Sequence, residues 1–192
     1  AWIWTRTGTL WTQQGVKLVG SGNTGAAQQG TSVSISADGN TVIVGGFADN
    51  GNVGAAWVWK RNGGNWTQEG GKLVGSGYVG SSNQGRSVCL SDDGNTAIVG
   101  GPNDNFPNGA AWIWIRTGGT WLQQGNKLVG TGGVGIQVQG RSVSISADGN
   151  VVIVGGPGDN LNIGAAWVWL RTGGVWLQLG NKLVGSGGIG GQ

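Results

Sequence analysis

"TSVSISADGNTVIVGG", residues 31–46, first alternates and then stops alternating. Val33 and Ile35 fall on one side of an extended chain and Ser32, Ser34 and Ser36 on the other, the period of a half-buried strand. Asp38-Gly39-Asn40 follows, and Asp-Gly supplies the positive φ that a tight hairpin needs. Residues 41–46, "TVIVGG", are apolar toward both faces, as in a strand covered on both sides. The loop "FADNGNVGA" then leads to "AWVWKR", residues 56–61, with Trp57 and Trp59 on one face and Val58 on the other. A fourth strand is expected in "WTQEGGKLVG", residues 66–75, its alternation broken at Gly70 and Gly71 by a bulge.

The same pieces recur. Trp2, Trp57, Trp112 and Trp167 stand 55 residues apart, and all 12 tryptophans fall in this register. Four short strands in each tandem copy is the arithmetic of a propeller blade. The chain of 192 residues is therefore expected to be all-β, a β-propeller-like tandem array on a 55-residue period, with three full blades and a half blade. Residues 1–27 form the half blade, the outer two strands; residues 28–82, 83–137 and 138–192 form one blade each. Trp2, Trp4, Trp57, Trp59, Trp112, Trp114, Trp167 and Trp169 are assigned to the interblade core, because no blade of this kind buries its faces alone.

Glycine at 44 positions makes chance motifs easy, and "GSGNTG" at Gly20 fits the dinucleotide pattern G-x-G-x-x-G. A dinucleotide fingerprint opens a helix within a βαβ unit. Here the segment recurs as "GSGYVG", "GTGGVG" and "GSGGIG", and each copy with a continuation runs into an alternating strand. These are loops between repeats, and no nucleotide site is expected.

Composition narrows function by exclusion. With no histidine there is no Ser-His-Asp or Cys-His arrangement and no histidine-based zinc site. The lone Cys89 occupies the place of Ser34 and Ser144, so it reads as a serine substitute. A pair of catalytic carboxylates must lie within about 5–10 Å. Asp38 and Asp49, at opposite ends of one strand, should lie roughly 20 Å apart. The chain is expected not to be an enzyme. Its net charge of +3 is dispersed, so no nucleic-acid partner is expected, and no apolar run is long enough for membrane insertion.

The order of pieces in residues 139–171, "QGRSVSISADGN", "VVIVGGPGDN" and "IGAAWVWLR", resembles the FG-GAP repeat, the blade of integrin-α-type β-propellers. The resemblance spans essentially the whole chain and implies an extracellular or cell-surface location. It departs where Gln29, Gln84 and Gln139 replace the family's Phe, and where Gly46, Gly101 and Gly156 replace its Ala. Many members bind calcium through Asp-x-Asp-x-Asp-Gly, whereas this chain has only "SADGN" and "SDDGN". No cofactor is expected: Asp38, Asp93 and Asp148 read first as turn residues, with calcium ligation the weaker alternative.

Two functions from different classes are consistent with these features. The first is a non-catalytic structural or adhesive protein, the building block of a surface fibre or long surface protein. Its partners would be further repeats of its own kind or copies of itself, as a homo-oligomer or filament joined through blade edges. The alternative is a lectin-like propeller holding glycans weakly at each blade junction. Its ligand-binding residues would be Asp49, Asn50, Trp66, Asp104, Asn105, Trp121, Asp159 and Asn160, with Trp66 the tryptophan expected to be most exposed. Against this, Asp and Asn also shape loops through their own backbone bonds.

Overall fold

The computed structural model describes residues 1–187. Its strands are antiparallel throughout. β1 (Trp4–Thr7) and β2 (Leu10–Gln13) form a two-stranded sheet. β3 (Ser32–Ile35), β4 (Thr41–Gly46), β5 (Ala55–Asn62) and β6 (Asn65–Gln68) form the next, in chain order. The pattern repeats in β7 (Ser87–Leu90), β8 (Thr96–Gly101), β9 (Ala110–Thr117) and β10 (Thr120–Gln123), and in β11 (Ser142–Ile145), β12 (Val151–Gly156), β13 (Ala165–Thr172) and β14 (Val175–Gln178). The architecture is all-β and propeller-like.

The hairpin expected at Asp38-Gly39-Asn40 is present, with Ser32 opposite Gly45 and Ile35 opposite Val42. The expected fourth strand is shorter. β6 ends at Gln68, Gly70 turns with φ 75°, and pairing resumes only as a bridge between Ala56 and Leu73. The loop after β4 contains a single turn, residues 49–52, in which Asn50 and Gly51 are left-handed.

The sheets pack face to face in chain order. Val42, Val44, Trp57 and Trp59 meet the preceding sheet through Ile3 and Leu18. The opposite face of the same sheet carries Ile43, Ala56 and Val58 against Val99, Trp112 and Trp114. The third interface repeats the second, with Ile98 and Ile113 against Val152, Trp167 and Trp169. Burial of each indole offers several kcal/mol at about 25 cal/mol per Å², an upper bound before ordering entropy.

Trp57, Trp59, Trp112, Trp114, Trp167 and Trp169 are buried, as an interblade core requires. Trp2 and Trp4 are not: they are 58% and 53% exposed, because no sheet packs on their side of β1. Among the described residues, no helix is long and apolar enough to cross a membrane.

Candidate functional site at the sheet junctions

The polar residues singled out by the sequence converge on the loops joining one sheet to the next. Asp49, Asp104 and Asp159 are wholly buried. Oδ1 of Asp49 accepts the Thr24 N–H at 2.7 Å, and Oδ2 lies 2.5 Å from Lys72 Nζ. Asp104 is held in the same way by Val79 and Lys127, and Asp159 by Val134 and Lys182. Each carboxylate thus ties its own repeat to the loop arriving from the preceding sheet. Both oxygens face protein donors, so these residues fix the loop rather than present a polar edge to solvent. The neighbouring Asn50, Asn105 and Asn160 are left-handed at φ 48°, 42° and 49°.

The outer tryptophans are also committed. Trp66 donates its indole N–H to Gln14 Oε1 at 2.9 Å, Trp176 to Gln124, and Trp121 to Glu69. Arg61, Arg116 and Arg171 lie over the rings of Trp66, Trp121 and Trp176. Trp121 is buried and Trp66 half-buried, so within this register the exposed member is Trp11, and Trp2 and Trp4 of the other register are exposed beside it. At the middle junction an ion pair reinforces the hydrogen bond, with Arg116 Nη1 3.0 Å from Glu69 Oε2.

Two residues outside the expected set do most to close each junction. The amide of Gln84, wholly buried, accepts the Gly75 N–H at 2.6 Å and returns a hydrogen bond to the Gly75 carbonyl at 3.1 Å. Gln29 and Gln139 grip Gly20 and Gly130 in the same way. A glutamine departing from an otherwise familiar pattern at every copy was the signal available in the sequence. The second is the glycine itself: Gly20, Gly75 and Gly130 are covered by the indoles of Trp57, Trp112 and Trp167 so closely that a Cβ would overlap the ring. Each indole N–H then donates to the next carbonyl, that of Ser21, Ser76 or Thr131, at 2.8 Å.

The hairpin aspartates are bound within their own turns. Asp38 Oδ1 accepts Ser36 Oγ at 2.6 Å and the Asn40 N–H at 2.9 Å, while Oδ2 accepts the Asn40 amide. These hydrogen bonds, that from Ser36 foremost, hold the Asp38 carboxyl down to about 2. Asp148 is held down to about 2 by Ser146 and Asn150. At Asp93 burial pushes upward, but bonds from Ser91 and Asn95 outweigh it and the carboxyl is lowered. Among the described residues no group of three or more Asp, Glu, His or Cys side chains is arranged to hold a metal ion.

Two junctions carry open grooves on the outer rim. One, of about 380 Å³, is lined by Gln124, Asn126, Lys127, Trp169 and Trp176. The other is formed by Gln14, Val16, Asn65 and Trp66.

No family model and no curated protein matches the chain. Solved structures do. Sqt1 of Saccharomyces cerevisiae superimposes with a TM-score of 0.53 at 13% identity, over 83% of this chain and 36% of Sqt1. TolB of Acinetobacter baumannii gives a TM-score of 0.42 at 11% identity, over 77% of this chain and 31% of TolB. The similarity to Sqt1 is one of fold, and the chain spans about a third of that protein's length.

Proposed function

We propose that the protein is a non-catalytic structural or adhesive repeat protein of the FG-GAP kind, working outside the cell or at its surface. In this reading each four-stranded sheet is one blade of a 55-residue unit, three full blades follow a half blade, and the stack extends by adding further sheets of the same kind. The observation that carries it is the pair of open apolar end faces. Trp2, Trp4 and Trp11 are more than half exposed at one end, and Leu177, Leu179 and Leu183 are so at the other. Patches of this sort on a soluble chain mark interaction surfaces. The cell-surface location is supported by the resemblance to integrin-α-type blades.

Light scattering over a range of concentrations tests this reading. Particles of several chains, growing with concentration, are expected. A monomer throughout contradicts it.

A second reading, weak glycan binding at the junctions, is supported by the groove that sets Trp176 beside Asn126 and Gln124. Binding on a glycan array that disappears in Trp176→Ala is its expected outcome, and no binding by the intact protein contradicts it.

A further inference from the structure

One face of the molecule carries apolar side chains on turns, where nothing packs against them. Leu161 is 82% exposed and holds a left-handed backbone, with φ 58° and ψ 40°. The same position in the first full copy is Gly51, at φ 64° and ψ 37°. A bulky side chain in that region is strained, and no burial offsets the strain here. Phe106, at the equivalent position of the copy between them, is 66% exposed.

These tips do not stand alone. The Asn105 N–H donates to the Val79 carbonyl at 3.0 Å, which sets Val79 beside Phe106. The Asn160 N–H donates to the Val134 carbonyl at 2.9 Å and sets Val134 beside Leu161. Ile136 lies between the two pairs. Its neighbour Gln137 donates its N–H to the Pro107 carbonyl at 3.1 Å, and its own carbonyl abuts Gly158. Val79, Val134 and Ile136 are each more than half exposed, so these side chains form one apolar band across two adjacent sheets. In the first of these loops Thr24 stands at the position of Val79 and Val134, so the repeat itself does not require an apolar residue there.

Charge on this face has one sign. Of the 8 acids in the chain, Asp38, Asp92, Asp93 and Asp148 belong to the hairpin turns at the opposite end of the strands. That end is about 20 Å away. Glu69 is paired with Arg116 on the outer rim. Asp49, Asp104 and Asp159 belong to these loops but are wholly buried against lysines. Arg86 and Arg141 remain, placed just before β7 and β11 at the same end of the sheets as the loops. Arg86 lies over the Phe47 ring, and Arg141 is exposed beside Val138, whose N–H donates to the Pro107 carbonyl. Among the described residues neither arginine forms an ion pair.

We propose that this loop face docks on an anionic lipid bilayer, with Phe106, Val134 and Leu161 entering the headgroup boundary and Arg86 and Arg141 meeting the lipid phosphates. Binding of this kind grows with the apolar area buried and with attraction to anionic headgroups. Separate tips on turns suit a fluid surface, whereas a protein partner needs matched pits. The contact is peripheral, through side chains on turns. It goes beyond the structural reading above and does not depend on self-assembly.

Flotation with phosphatidylcholine vesicles, with and without phosphatidylglycerol, tests the proposal. The wild type should float with the anionic vesicles and much less with the neutral ones, and added salt should weaken its binding. Leu161→Gly combined with Val134→Thr installs the residues of the earlier loops, Gly51 and Thr24, so the melting temperature should not fall. This double variant should bind anionic vesicles about tenfold less, the loss expected when a side chain of this size no longer leaves water. Arg141→Gln should reduce the preference for anionic over neutral vesicles about fivefold. A wild type that floats with neither vesicle overturns the proposal, as does binding that the double variant leaves unchanged. If no vesicle is bound and the double variant loses self-association in vesicle-free solution, the band joins proteins and the lipid assignment is wrong.

Discussion

The indole of Trp57 occupies the space that a side chain at Gly20 would need, although the two residues belong to successive repeats. That contact, with the Trp57 N–H on the Ser21 carbonyl, makes glycine obligatory for packing rather than for turning. Gly20→Ala is expected to destabilise the chain by about 1–3 kcal/mol, the usual cost of overfilling a packed site. Gly71→Ala, where a Cβ would meet nothing within 4 Å and the backbone is not left-handed, should stay within about 0.5 kcal/mol of wild type. Urea unfolding of the two variants checks the contrast.

Asp49 and Lys72 form an ion pair in which the carboxylate is wholly enclosed and the ammonium partly exposed. Removing the lysine strands the enclosed carboxylate, at a cost of about 3–5 kcal/mol. Lys72→Met should therefore lower stability by several kcal/mol, and Asp49→Ala, which leaves a lysine that can reach water, by less. The double variant should lose less than the sum, because it leaves no buried charge behind. A double-mutant cycle measured by denaturant unfolding reads this coupling.

Gln84→Phe removes the buried amide that holds Gly75. It is expected to destabilise by about 2 kcal/mol or more, since it leaves the buried N–H and C=O of Gly75 without partners. A melting temperature equal to wild type would show that the two amide bonds are dispensable.

The strands, their order and the tight hairpins were legible in the sequence because each is a local pattern. The alternation around Val33 and the apolar run at residues 41–46 depend on neighbours within a few residues. What lay beyond reach was set across repeats. Asp49 was placed correctly in its loop, but its burial follows from Lys72, 23 positions away, and from Thr24, 25 positions before it. Trp66 was expected at the surface because it begins an outer strand, yet Gln14, 52 positions earlier, draws its N–H inward. Trp2 and Trp4 share the register of the core tryptophans and differ only in having no sheet on their side. The glycine at position 46 is explained by the Ala27 carbonyl and the Trp57 ring, which leave no room for a Cβ.

The turn aspartates give acid sensitivity a definite sign. Asp38 and Asp148 are held down to about 2, below an unfolded value near 3.8. A carboxyl lowered in the folded state contributes stability above its unfolded pKa and loses it as pH falls through the folded one. Their contribution should therefore be constant above about pH 4.5 and should vanish between about pH 4 and pH 2. Asp38→Asn with Asp148→Asn should melt lower than wild type at pH 7, and the gap should close toward pH 2. A gap that does not change with pH contradicts the assignment.

The most direct test of assembly through the open apolar faces is the solvent access of Trp2, Trp4 and Trp11. Acrylamide quenching of fluorescence should be compared over a range of protein concentrations. Part of that quenching should be lost, with a blue shift, as concentration rises. Unchanged quenching at every concentration would mean that these rings stay in water, and the assembly reading would be wrong.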